Sequence, residues 1–109
     1  MFDSRNINLQ SYEFVHTDSG TRAGGVAFYI KESISYSIRD DLVIIDDENE
    51  NLWIQVQINN VKYIFAVIYR HPRHNYITFQ QKLTKTIESI ENQKDTYFIC
   101  GDLNINLLK

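Results

Sequence analysis

The fold is decided by residues 61–101, which read VKYIFAVIYRHPRHNYITFQQKLTKTIESIENQKDTYFICG. Residues 61–70 and 96–100 are apolar on both faces, the pattern of strands that are covered on both sides. The segment between them carries apolar side chains every three or four residues, at Phe79, Leu83, Ile87 and Ile90. This spacing predicts one helix over about 75–93, with Asn75 as a possible N-cap. A strand–helix–strand crossover makes the two strands parallel.

The rest of the chain predicts further strands of the same domain. Residues 52–58 alternate between apolar and other side chains, and Asn59-Asn60 is a plausible turn because asparagine tolerates positive φ. A β-branched and aromatic run follows Gly24-Gly25 at residues 26–31. Weaker strand patterns lie at residues 11–16, 36–38 and 42–45. The fold class predicted is α/β (mixed α+β), in which a mixed sheet carries one long crossover helix.

The composition is that of an ordinary globular protein. The 109 residues are 43% hydrophobic and 23% charged, which excludes intrinsic disorder. The longest apolar run, residues 63–69, is far shorter than the ~20 residues of a membrane span. Cys100 is the only cysteine, which excludes an internal disulfide and a cysteine-rich zinc site. Since the N-terminus also lacks a secretory signal pattern, an intracellular location is expected, either nuclear or cytoplasmic.

The charge is unevenly distributed. A net charge of −3 argues by itself against a nucleic-acid binder. However, six acidic residues and no basic residue lie between Asp40 and Glu50, while the rest of the chain holds eight acidic against eleven basic residues. The part of this run from Asp46 to Glu50 lacks the residue spacing of a calcium-binding loop, so we interpret it as a solvated turn. Outside the stretch from Asp40 to Glu50, the excess of basic residues makes the chain mildly basic.

Polar side chains follow both parallel strands at the point where each ends. Tyr69 and Arg70 end the first strand and Arg73 follows it, while Asp102 and Asn104 follow the second. Ligands of open α/β sheets bind at the carboxyl ends of the strands, so we expect these residues to converge there. A carboxylate can orient or deprotonate a water, an amide can donate to a phosphate oxygen, and guanidinium groups suit phosphate. The combination predicts chemistry on a phosphate ester.

The same residues have a plainer structural interpretation. The sequence Gly-Asp-x-Asn after a strand is commonly a turn, because Asp and Asn side chains bond to the nearby main chain. Tyr69 would then be a tyrosine at the edge of the core, and residues 70–74 a solvated loop. Under this interpretation the chain is a small interaction module with no enzymatic activity.

Several short motifs also occur in a fixed order. They are Gly24-Gly25-Val26-Ala27-Phe28-Tyr29-Ile30-Lys31, Leu52-Trp53-Ile54, Val67-Ile68-Tyr69-Arg70-His71-Pro72 and Gly101-Asp102-Leu103-Asn104-Ile105-Asn106. In this order they resemble the endonuclease/exonuclease/phosphatase superfamily. Within it, they are most similar to the endonuclease domain of non-LTR (LINE-type) retrotransposons. The resemblance covers residues from about 22 to 109.

The resemblance implies a fold, an activity and partners. The implied fold is a four-layer α/β sandwich with two facing sheets, of which this chain would be the central portion. The implied activity is phosphodiester hydrolysis with Mg²⁺ or Mn²⁺, in which Tyr69 and Asn104 contact the phosphate and Asp102 acts on the attacking water. Arg70 would meet backbone phosphate. DNA is the implied partner, no membrane is involved, and the full-length parent would be fused to a reverse transcriptase.

Two parts of the family pattern have no match in this sequence. The metal-binding glutamate would lie upstream of Gly24-Gly25, where Glu13 lacks the surrounding motif. The closing Ser-Asp-His block would lie downstream of Asn104, and the sequence ends at Lys109 without it. We therefore assign no metal ligand, and we expect residues 1–109 to be a single partial domain that lacks the N-terminal and C-terminal parts. The alternative function is that of a non-catalytic remnant.

Overall fold

The computed structural model describes residues 11–17, 25–45, 49–71 and 76–103, and places them in two sheets and one helix. In chain order the elements are β1 (Tyr12–His16), β2 (Ala27–Lys31), β3 (Tyr36–Ile38), β4 (Asn49–Ile58), β5 (Val61–Arg70), α1 (Ile77–Asn92) and β6 (Thr96–Asp102). A short 3₁₀ turn, Asp40–Leu42, lies between β3 and β4. The predicted mixed α/β class is confirmed.

The larger sheet is mixed and has the strand order β3-β4-β5-β6. β5 and β6 are parallel, and the other neighbouring strands are antiparallel. The turn between β4 and β5 places Asn59 at φ 52° and Asn60 at φ 66°, a conformation that favours asparagine and glycine. Both the hairpin and the parallel crossover were predicted from the sequence, and both are present.

The smaller sheet is the antiparallel pair β1 and β2, which covers one face of the larger sheet. The buried side chains between the two sheets are those of Val15, Val26, Ile30, Leu52, Ile54 and Val56. At the margin, the Tyr36 hydroxyl donates to Glu13 Oε2 at 2.6 Å and links β3 to β1. The strands predicted at residues 11–16, 26–31 and 36–38 are thus confirmed to within a residue.

Helix α1 covers the opposite face of the larger sheet. The core on this side contains Leu42, Ile44, Trp53, Ile64, Ala66, Ile68, Phe79 and Ile90. The helix has nearly the predicted extent, because its apolar stripe determines which turns are buried. Its N-cap is Tyr76, which makes no side-chain capping bond. Asn75, which the sequence predicted as the N-cap, lies outside the described residues.

The strand predicted at residues 42–45 is wrong. Leu42 ends the 3₁₀ turn, and Ile44 is buried in the core on the helix side without a strand partner. The Ile44 amide donates to Asn51 Oδ1 at 2.9 Å, and Asn51 Nδ2 donates to the Ile44 carbonyl at 3.0 Å. Because one side-chain amide satisfies both of its main-chain groups, Ile44 can be buried without joining a sheet.

The described residues thus form three layers, namely α1, the larger sheet and the smaller sheet. β6 is an edge strand, and its Phe98 is 52% exposed where the two-stranded sheet does not reach. No helix in the described ranges has both the length and the apolar character needed to cross a membrane.

Candidate functional site

Three side chains lie in one row at the edge of the larger sheet. Tyr69 is in register with Glu50 on β4 and with Asp102 on β6. Residues in register project from the same face, so all three lie on the side of the smaller sheet. The structure therefore brings together Tyr69 and Asp102, two of the residues that the sequence placed at this edge, and adds Glu50 to them.

Gly101 allows β6 to pass close to β5 immediately before Asp102. Its φ is +126°, a conformation that L side chains rarely adopt. A Cβ atom at this position would lie 1.9 Å from the Ile68 carbonyl oxygen. Glycine is thus required both for the main-chain conformation and for the close approach that sets Asp102 beside Tyr69.

Tyr69 lies at the boundary between the core and solvent. It is half-buried and packs against the apolar cluster between the sheets. Its ring meets the His71 ring edge-on, with centroids 5.0 Å apart and planes at 83°. Asp102, its neighbour across the strands, is exposed. A phenol held by packing therefore stands beside a carboxylate that solvent can reach.

Glu50 was assigned from the sequence to a solvated turn, but it lies in β4 at this edge. Its side chain is only 11% exposed, and both carboxylate oxygens are buried without a hydrogen-bond donor in the described part of the chain. His71 Nε2 lies 3.6 Å from Glu50 Oε2. The signal was present in the sequence, because Glu50 and Tyr69 are equally distant from the predicted Asn59-Asn60 turn and must therefore pair.

The smaller sheet reaches the same edge through Thr17 and Gly25. The Thr17 amide donates to the Val26 carbonyl at 3.0 Å, and the Val26 amide donates to Thr17 Oγ1 at 3.1 Å. A Cβ at Gly25 would lie 2.6 Å from Thr17 Oγ1 and 3.5 Å from Glu50 Oε1. Gly25, from the Gly-Gly motif, thus permits β1 and β2 to close against the site.

Arg70 lies on the opposite face from Tyr69 and Asp102. It is 2% exposed, and its Nε donates to the Leu103 carbonyl at 2.7 Å. Its contact with phosphate stays a prediction. Asn104 and Arg73, the other two predicted site residues, lie outside the described residues.

The carboxylates of Glu50 and Asp102 have the oxygen donors that a hard divalent cation prefers. Their strands, β4 and β6, are separated by β5, however, and neighbouring strands of a sheet lie about 4.8 Å apart. Across residues 11–17, 25–45, 49–71 and 76–103, no group of three His, Cys, Asp or Glu side chains could hold a metal ion. The donor chemistry at this edge thus fits such a cation, but a complete coordination sphere needs ligands from beyond these residues.

The fold and this edge define a mixed α/β protein in which Tyr69 and Asp102 stand at the carboxyl ends of a parallel strand pair. The chain belongs to the Endonuclease/Exonuclease/phosphatase family, whose model matches residues 2–107. Among solved structures, it is similar to the crystal structure of humanized D. rerio TDP2 by 14 mutations, with 14% sequence identity and a TM-score of 0.56. The match covers 89% of this chain and 44% of that chain, so this chain spans less than half of that structure. No curated protein matches the chain significantly.

Proposed function

We propose that this chain is part of a divalent-metal-dependent phosphodiesterase that cleaves DNA, as the endonuclease of a non-LTR retrotransposon. Membership of the family supports a phosphoester substrate. The observation that carries the proposal is the pairing of Tyr69 with Asp102 at the carboxyl edge of β5 and β6. The retrotransposon subtype rests on the Tyr69-Arg70-His71-Pro72 motif and on the Gly24-Gly25 block. In the proposed parent protein, a reverse transcriptase is fused to this domain.

The proposed chemistry is attack of water on phosphorus. A P–O bond to the water oxygen forms while the P–O bond to a sugar oxygen breaks, and a proton from the water ends on that leaving oxygen, so the products are a phosphate and a hydroxyl. Asp102 is exposed at the site, so its carboxylate can accept a hydrogen bond from the attacking water and orient it. The Tyr69 hydroxyl donates to a phosphate oxygen on which charge develops, and the packing of its ring keeps that donor in place. Asn104 donates its amide to the same phosphate, and Arg73 contacts the DNA backbone. A bound Mg²⁺ or Mn²⁺ supplies positive charge that stabilises the transition state.

We also propose that residues 1–109 are one partial domain. The similar solved structure supports this, since the match leaves more than half of its chain uncovered. The family's metal-binding glutamate and its Ser-Asp-His block would then lie in parts of the parent protein that flank this sequence.

Nicking of supercoiled plasmid DNA tests the proposal. The 109-residue chain and its longer reading frame would each be assayed with Mg²⁺ and with Mn²⁺. We expect the longer frame to nick DNA, and we expect Asp102→Asn to reduce the rate about 10²-fold or more, because the variant keeps the shape of the side chain but cannot hold the water as a carboxylate does. Glu88→Gln, on the exposed side of α1, is the matched control and should leave the rate unchanged.

Two outcomes would overturn this function. Nicking that survives Asp102→Asn would place the chemistry elsewhere. A longer frame that binds metal and folds, but cleaves no DNA, would establish the alternative of a non-catalytic remnant.

A further inference from the structure

Arg70 carries a guanidinium group into the core on the helix side of the larger sheet. Along β5 the side chains of Ile64, Ala66 and Ile68 are buried on this face, and Arg70 continues their alternation at 2% exposure. An arginine is rarely buried to this extent, because removing its charge from water costs several kcal/mol unless hydrogen bonds compensate. The buried guanidinium of Arg70 therefore needs hydrogen-bond acceptors inside the protein.

One acceptor of the Arg70 guanidinium is the main chain directly after β6. Arg70 Nε donates to the Leu103 carbonyl oxygen at 2.7 Å, a short distance that is typical of a charge-assisted hydrogen bond. Leu103 follows Asp102 and precedes Asn104 in the sequence. Fixing the Leu103 carbonyl therefore restrains the main chain immediately after Asp102.

We propose that Arg70 is a positioning residue that fixes the main chain between Asp102 and Asn104, and is not a ligand of the DNA phosphate. The inference rests on the proposed function for its purpose, since Asp102 and Asn104 matter only if they handle phosphate and water. The geometry itself is independent of that function. Tyr69 and Arg70 are adjacent on β5 but project to opposite faces, so one meets the substrate side while the other secures the neighbouring strand end from behind.

The first test uses the unmutated protein and needs no activity. We expect the Arg70 Nε–H to be visible by NMR and to exchange with solvent at least about tenfold more slowly than the Arg39 Nε–H. Arg39 is a matched control because its Nε also donates a hydrogen bond, to Asp41 Oδ1 at 2.9 Å, but does so in an exposed pair. Exchange of Arg70 as fast as that of Arg39 would overturn the proposal.

The second test adds a duplex oligonucleotide and two variants. Arg70→Met keeps the apolar stem, and Arg70→Lys keeps the charge without the planar donor group. We expect both to change the Leu103 carbonyl and Asn104 amide nitrogen shifts, and to leave the salt dependence of DNA binding unaltered. A phosphate ligand would instead lower the salt slope by about one in Arg70→Met, with recovery in Arg70→Lys, and unchanged Leu103 signals.

The two proposals fail in different ways. A protein that binds no DNA contradicts the proposed function, while the slow exchange of the Arg70 Nε–H still tests its bond to Leu103. If Arg70→Met does not fold, the exchange measurement on the unmutated protein remains decisive.

Discussion

Tyr69 and Asp102 are direct neighbours across the parallel strands β5 and β6, although a whole helix separates them in the sequence. This pairing depends on the crossover through α1, after which β6 runs beside β5 in the same direction. It places a half-buried phenol beside an exposed carboxylate.

Tyr69→Phe should impair cleavage without unfolding the protein. The variant keeps the ring that packs between the sheets and against His71, and removes only the hydroxyl. Loss of one donor to a developing oxyanion commonly lowers kcat by about 10²-fold. The check is the initial rate of plasmid nicking by the longer reading frame, with the melting temperature measured in parallel. An unchanged rate would remove Tyr69 from the proposed site.

Gly101→Ala should destabilise the fold by about 3 kcal/mol or more. The new Cβ would lie 1.9 Å from the Ile68 carbonyl oxygen, at a φ that alanine rarely adopts. Urea unfolding of the two proteins measures the difference. Cys100→Ala, at the exposed neighbouring position of β6, is the matched control and should change the stability by less than about 1 kcal/mol. A Gly101→Ala protein as stable as that control would show that β6 is held less closely to β5.

Asn51→Leu should lower the free energy of unfolding by about 3 kcal/mol or more. Asn51 Oδ1 accepts from the Trp53 indole at 2.8 Å and from the Ile44 amide, and its Nδ2 donates to the Ile44 carbonyl. Leucine would leave these buried groups unpaired, and each such group costs about 1–3 kcal/mol. Gln57→Leu, at an exposed position of the same strand, is the control. Equal unfolding midpoints for the two variants would show that the hydrogen bonds of Asn51 contribute little to the free energy of unfolding.

Asp41 should make a small, pH-dependent contribution to stability. The hydrogen bond from Arg39 lowers the pKa of the Asp41 carboxyl below its ordinary value of 3.8. Because the pKa is lower in the folded state, the ionised Asp41 carboxyl stabilises the fold. This stabilisation is complete well above pH 3.8, the ordinary pKa, and is lost as the pH falls through the folded-state pKa. Since the Asp41 side chain is 62% exposed, the pair is worth about 0.2–1 kcal/mol at most.

The corresponding measurement compares Asp41→Asn with the unmutated protein across this pH range. The stability difference should be constant at pH 5–7, shrink as the pH falls below 4, and decrease in high salt because the pair is exposed. A difference that persists at the lowest pH would assign the effect to something other than the carboxylate charge.

Much of the fold was predictable because it depends on local patterns. The alternation before Asn59-Asn60 specified a hairpin, and the turn fixed its register to the residue, including the pairing of Glu50 with Tyr69. The stripe of apolar residues on α1 specified which face is buried. The segment at residues 42–45 was the exception. Its apolar side chains suggested a strand, whereas the Asn51 side chain satisfied the Ile44 main chain instead.

Local sequence patterns specify the strand–helix–strand crossover and hence the edge at which Tyr69 and Asp102 meet, because hydrophobic periodicity and turn chemistry act over a few residues. The contacts of each polar side chain at that edge depend instead on the packing of the whole fold. This packing turned Arg70 towards the core to bind the Leu103 carbonyl, and it buried Glu50 beside His71. These outcomes depend on which layer covers which face of the sheet, and that is settled by contacts between elements that are distant in the sequence.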